Sequence, residues 1–153
     1  MNYKEEFNKI ASKAINRESE KEKIPADKVH LQLLLKKDAD GDISNGYRYL
    51  VDGLPLMENG KEVKLSFTDI LGVKIDLKGY SLIVPRFIKK VLLKLSVQHG
   101  IPAENISAIV RLVDSKVRVL LYNQFSLVKE LQTSDMFSDS VAMEIMQDQL
   151  NEQ

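Results

Sequence analysis

The chain contains no cysteine. That excludes thiol nucleophiles, disulfide staples and thiolate-held zinc or iron–sulfur centres. Histidine is scarce, and the two present, His30 and His99, have no sequence-adjacent ligand or nucleophile. Tryptophan is missing and aromatics make up only 7% of the residues, which leaves little on which nucleic-acid bases can stack. Long apolar runs are missing too. The longest nearly apolar runs, 31–35 and 82–85, are far too short to span a bilayer. The N-terminal stretch is charged and lacks the apolar core of a signal peptide. The expectation is a protein of the cytoplasm, or of a particle assembled there, without membrane contact. Neither the Gly-x-Ser-x-Gly elbow nor the glycine-rich phosphate and dinucleotide loops occur.

What is present is an ordinary globular composition, 44% hydrophobic and 29% charged over 153 residues, enough for one domain with its own core. Positive and negative charges balance at 22 each, yet they are separated along the chain. Residues 1–37 are net +3, 38–73 net −4, 74–99 net +5, 100–132 net +1 and 133–153 net −5. Attraction between such segments either folds the chain's own ends together or draws copies head to tail.

Asn2 and Glu5 fit a capping box, and Tyr3, Phe7, Ile10, Ala11, Ala14 and Ile15 form one helical stripe. The polar run 17–23 predicts a solvated arm that Pro25 ends. Val29, Leu31, Leu33 and Leu35, then Tyr47, Tyr49 and Val51, alternate as the two strands of a long hairpin. Asn59-Gly60 predicts a type I′ hairpin with Glu58 facing Lys61, Leu56 facing Val63 and Leu54 facing Leu65. Pro55 assigns its strand to an edge. Residues 66–71 fit a helical turn or a strand, and 73–77 alternate as a short strand.

Pro85 opens a central amphipathic helix with Phe87, Ile88, Val91, Leu92 and Leu95 on one face, and Gly100 closes it. Another hairpin is expected around Ser115-Lys116, with Leu112 opposite Val119 and Arg111 opposite Leu120. The competing register sets Arg111 against Arg118, a like-charge pair. Phe125, Leu127, Val128 and Leu131 predict a short helix. Ser138 then caps a last helix striped by Val141, Ala142, Ile145, Met146 and Leu150. No internal repeat stands out. The expected class is α+β: an antiparallel, hairpin-rich sheet packed with a central amphipathic helix, plus N- and C-terminal helices. It forms a single domain, read as a helix or arm over 1–24, an α+β core over 25–132 and an acidic helix over 133–153.

Three features carry candidate chemistry. Asp38, Asp40 and Asp42 occupy positions 1, 3 and 5 of a calcium loop, but Ile43 stands where that loop needs glycine and Tyr49 where it needs a bidentate glutamate. A solvated turn is therefore the main expectation, and calcium or magnesium the weaker one. Arg86, Lys89, Lys90 and Lys94 offer contacts to phosphate or an acidic partner, although zero net charge argues against nucleic acid. The terminal stripes, Tyr3, Phe7 and Ile10 at one end and Val141, Ile145, Met146 and Leu150 at the other, need cover and suit docking to other subunits. No catalytic or cofactor-binding residue is assigned. The leading expectation is a non-enzymatic structural or adaptor subunit of a homo- or hetero-oligomeric assembly, such as a phage-type virion, neck or tail component. The alternatives are a regulatory domain binding a divalent metal or ligand at 38–42, and a carboxylate-dependent enzyme.

Overall fold

A computed structural model describes residues 3–63, 65, 80–136 and 147, with the backbone alone for residues 3, 4, 6 and 80–87. The N-cap at Asn2, the segments 66–71 and 73–77, the cap at Ser138 and the stripe Val141, Ala142, Ile145, Met146 and Leu150 lie outside the described residues.

Helix α1 (Tyr3–Glu22) leads through a 3₁₀ turn (Ala26–Lys28) into β1 (Val29–Lys37), β2 (Ile43–Val51) and the short β3 (Leu54–Pro55). A two-stranded hairpin of β4 (Met57–Glu58) and β5 (Lys61–Glu62) follows. Helix α2 (Tyr80–His99) leads through a second 3₁₀ turn (Ala103–Asn105) into β6 (Ile106–Val113), β7 (Lys116–Asn123) and β8 (Ser126–Leu131), and one helical turn, α3 (Thr133–Met136), follows β8. Among the described residues, six strands form one antiparallel sheet in the order β3-β2-β1-β6-β7-β8. The class is α+β, as expected.

Both long helices cover the same face of the sheet. Leu31, Leu33, Tyr47, Tyr49, Ala108, Val110, Val119 and Leu121 project into one core with Ala11, Ala14 and Ile15 of α1 and Ile88, Val91 and Leu92 of α2. Strand alternation therefore sends Gln32, Leu34, Arg48, Leu50, Ile109, Arg111, Arg118, Leu120 and Tyr122 to the opposite face. The expected hairpin of β1 and β2 forms, pairing Val29 with Val51 through to Lys37 with Ile43. Asn59 (φ 52°) and Gly60 (φ 75°) form the two-residue turn between β4 and β5, with Glu58 opposite Lys61. Pro55 sits at the sheet edge, where its missing donor leaves no ladder bond unmade.

Several expectations are corrected. Arg111 pairs with Arg118, and Leu112 with Val117. The two registers differ by two residues, so both keep the same side chains inside, and hydrophobic pattern cannot choose between them. The turn chooses: Asp114 (φ 51°) and Ser115 (φ 64°) take the paired positive angles whose twist matches a hairpin. Residues 126–131 form a strand, not a helix. Leu121 pairs with Lys129 and Tyr122 with Leu127, so a bulge leaves Val128 unpaired. That extra residue breaks the alternation and imitates helical spacing. Leu54 pairs with Val51, and Leu65 bridges to Tyr47, so these two leucines do not face each other. Helix α2 starts at Tyr80, before Pro85. The second half of α1 is no free arm, because Glu18 is only 4% exposed and continues the buried stripe of Ala14 and Ile15.

The fold also contains a structural repeat that the sequence pattern did not expose. Both long helices have 20 residues. Each ends at a residue of positive φ, Lys23 (57°) and Gly100 (64°). Ser19 Oγ donates to the carbonyl of Ile24, and Ser96 Oγ to that of Ile101. Pro25 (φ −54°, ψ 138°) and Pro102 (φ −55°, ψ 139°) begin matching 3₁₀ turns. The sequences there are Ile24-Pro25-Ala26-Asp27-Lys28 and Ile101-Pro102-Ala103-Glu104-Asn105. After the second strand of each set, Asp52 (φ 51°) and Gln124 (φ 53°) turn the chain. Their amides return to the equivalent carbonyls of Lys28 (3.4 Å) and Asn105 (2.8 Å). The seam between the repeats is antiparallel, with Leu31 opposite Val110 and Leu33 opposite Ala108, so a local two-fold axis passes between Gln32 and Ile109.

Candidate functional site

The sheet face away from the helices is the candidate site. A groove of about 500 Å³ crosses it. Its floor is apolar, with Leu34, Leu50 and Ile109, while Gln32, Arg48, Asn105, Ser107, Tyr122 and Gln124 supply hydrogen-bonding groups. Register places Gln32 and Ile109 at its centre, on the local two-fold axis. Gly53 and Phe125, which occupy equivalent turns of the two repeats, line it as well.

Local structure holds this surface in place. Arg48 Nε donates to Gln32 Oε1 across the β1–β2 pair, and Arg48 Nη1 donates to Glu62 Oε1 at 3.0 Å. The half-exposed ion pair is worth little energy, but it ties the β4–β5 hairpin to the main sheet. Gln124 Nε2 donates to Asn105 Oδ1 at 3.2 Å, fixing the turn that carries Phe125. Gly46 has a packing reason. A Cβ there would come within 2.6 Å of Lys36 Cε and 3.1 Å of Leu34 Cδ1, so the glycine lets those side chains lie across β2.

Phe125 is 98% exposed at the turn between β7 and β8. Leu127 and Val128 follow on the edge strand and are exposed as well. On the same face, register sets Arg111 beside Arg118. Arg111 Nε is buried and has no hydrogen-bond partner among the described residues. The face thus combines an apolar floor, an exposed aromatic and a cationic pair.

The other side of the sheet holds the ionisable groups that the fold perturbs. Burial raises the Glu18 carboxyl; Lys21 and Arg17 oppose the shift, and Glu22 and Glu58 reinforce it. Burial also pushes the Tyr49 phenol up to about 12, with Arg17 opposing and Glu18 reinforcing. Tyr47 rises for the same first reason, against a hydrogen bond with Asn45. Tyr49 Oη donates to the carbonyl of Ala14 at 3.3 Å, which satisfies a buried hydroxyl. These groups lie in packed core without a nucleophile–base arrangement among the described residues.

The residues singled out from sequence fall elsewhere. Asp38 Oδ1 accepts the amides of Asp40 and Asp42, both at 2.9 Å, so that carboxylate closes its own turn. Among the described residues, no three His, Cys, Asp or Glu side chains converge on a metal position. Phe7 lies in the core of the domain, Ile10 packs against it, and the Tyr3 side chain is outside the described residues. Lys89, Lys90 and Lys94 are half-buried on α2, and Lys90 and Lys94 make polar contacts; the Arg86 side chain is not among those described. His30 Nε2 approaches the carbonyl of Asp27 at 3.2 Å, which gives it a local structural partner. Sequence reasoning missed the groove because it is assembled from two hairpins whose mutual pairing no local pattern reveals. The one available signal was Phe125 inside a polar turn. Among the described residues, no helix is long and apolar enough to cross a membrane. No protein-family model matches the chain, and no curated protein or solved structure matches it.

Proposed function

We propose that the protein is a non-enzymatic assembly subunit that docks another protein on its open sheet face, with Phe125 as the anchor. The observation that carries this reading is the near-complete exposure of Phe125 beside an apolar-floored groove. A phenylalanine in water gains most when a partner buries it, and large aromatics dominate binding energy at protein interfaces. The hydrogen-bonding groups around the floor would supply a polar rim. Arg111 and Arg118, on the same face toward the other end of the β6–β7 hairpin, favour a partner with carboxylates at the matching position. A virion, neck or tail component is one concrete form of such a subunit.

Self-association is the first case to test. Sedimentation velocity across a concentration series is expected to show oligomers. Phe125→Ser should shift them to monomer while leaving the melting temperature unchanged. A wild-type chain that stays monomeric up to about 100 μM, where even contacts near 1 mM affinity begin to register, would remove the homo-oligomeric form of the proposal.

A further inference from the structure

We infer that the chain is a covalently fused dimer, in which each half is the obligate partner of the other. The unit is one helix, one 3₁₀ turn and three strands. Helix α1 packs on β1, β6 and β7, while α2 packs on β6, β1 and β2. Each helix therefore covers the outer hairpin of the opposite half. Each half thus draws part of the cover over its strands from the helix of the other, as in an exchanged dimer.

The residues at structurally demanding positions agree. Tyr3 matches Tyr80, Ser19 matches Ser96, and Ile24-Pro25-Ala26 matches Ile101-Pro102-Ala103 at one constant displacement along the chain. Core volumes are redistributed between the halves. In the first half the Tyr49 hydroxyl reaches the backbone carbonyl of Ala14 and both residues lie in the core, and the equivalent core positions of the second hold Val91 and Leu121. A small helix residue with a large strand residue has become a larger helix residue with a smaller strand one. Such exchanges keep a core filled while its sequence drifts. The seam is symmetric about Gln32 and Ile109 because β1 meets its own counterpart there. An original unit pairing with a second copy of itself would build the same seam.

The test starts from the full chain with a protease site inserted in 66–71, cut after folding. The uncut variant should melt like the wild type. After cutting, both fragments should elute together at the mass of the intact chain. They should regain the native circular dichroism spectrum on dilution from urea, with a midpoint that rises with concentration. Fragments that separate as independently folded monomers would overturn the inference, as would fragments that never re-associate. If the insertion itself prevents folding, the double variant Ala14→Val/Tyr49→Leu decides. It gives the first half the pair that the second half uses, so it should recover most of the melting temperature that each single change loses. Losses that simply add would overturn the equivalence.

Discussion

Where α2 sets Leu95 into the core, 3% exposed, α1 sets Glu18 at the equivalent position, 4% exposed. The same contrast runs along the strands beneath. The inner face of β2 carries Asn45, Tyr47 and Tyr49, and that of β7 carries Val117, Val119 and Leu121. Outside, the order reverses: the first half turns on Gly53, and the second presents Phe125 at the equivalent place. One backbone plan thus serves two chemistries. The first half sets Glu18, Asn45 and two tyrosines where the second sets aliphatic side chains, and the second exposes an aromatic at its turn. Backbone equivalence shows what the fold requires, and the side-chain differences show what it leaves free.

The largest expected effect comes from truncating the equivalent strand residues of the two halves. Tyr49→Ala should cost about 4 kcal/mol and Leu121→Ala about 3 kcal/mol in urea unfolding, each leaving a cavity in a closed core. A larger loss at Leu121 would contradict the expectation that the larger of the two equivalent side chains costs more to truncate. Glu18→Leu should stabilise the protein by about 1–2 kcal/mol at pH 7, because an apolar group replaces a carboxylate that burial disfavours. A carboxyl whose folded pKa lies above its unfolded value of 4.5 favours the folded state while protonated. That contribution is complete below pH 4.5 and is lost as pH rises through the raised value. The advantage of Glu18→Leu should therefore shrink on acidification, as melting curves at pH 7 and pH 4 would show.

Ser19→Ala and Ser96→Ala should each cost about 1 kcal/mol, since each hydroxyl satisfies an equivalent carbonyl beyond its helix. Chemical unfolding of both variants would sharpen the comparison, and a difference above about 1 kcal/mol would show that the two joints are not equivalent. Phe125→Ser is the smallest, with a stability change within about 0.5 kcal/mol, because the ring is in water before the change. Its effect belongs to association.

Much of this was legible from local pattern. The alternation from Val29 to Leu35 and the Asn59-Gly60 pair state their hairpins directly. The errors arose where two physical signals competed. At Arg111 a surface like-charge pair yielded to turn geometry, and at Val128 a bulge disguised a strand. At Glu18 the charge suggested solvent, although helical position placed it in the core. The repeat escaped notice because it is preserved in backbone angles and in a few joint residues, while most side chains have exchanged. The groove escaped notice because strand order is a long-range property.

Native-state hydrogen exchange on the intact chain tests the interlocked two-half architecture most directly. The amides of Leu31 and Leu33 in β1 and of Ala108 and Val110 in β6 lie at the seam. They are expected to exchange with one common free energy, equal to that of global unfolding, because neither half keeps its cover when the other opens. If the amides of one half exchange through a lower-energy opening while those of the other remain protected, the halves are independent and the account is contradicted.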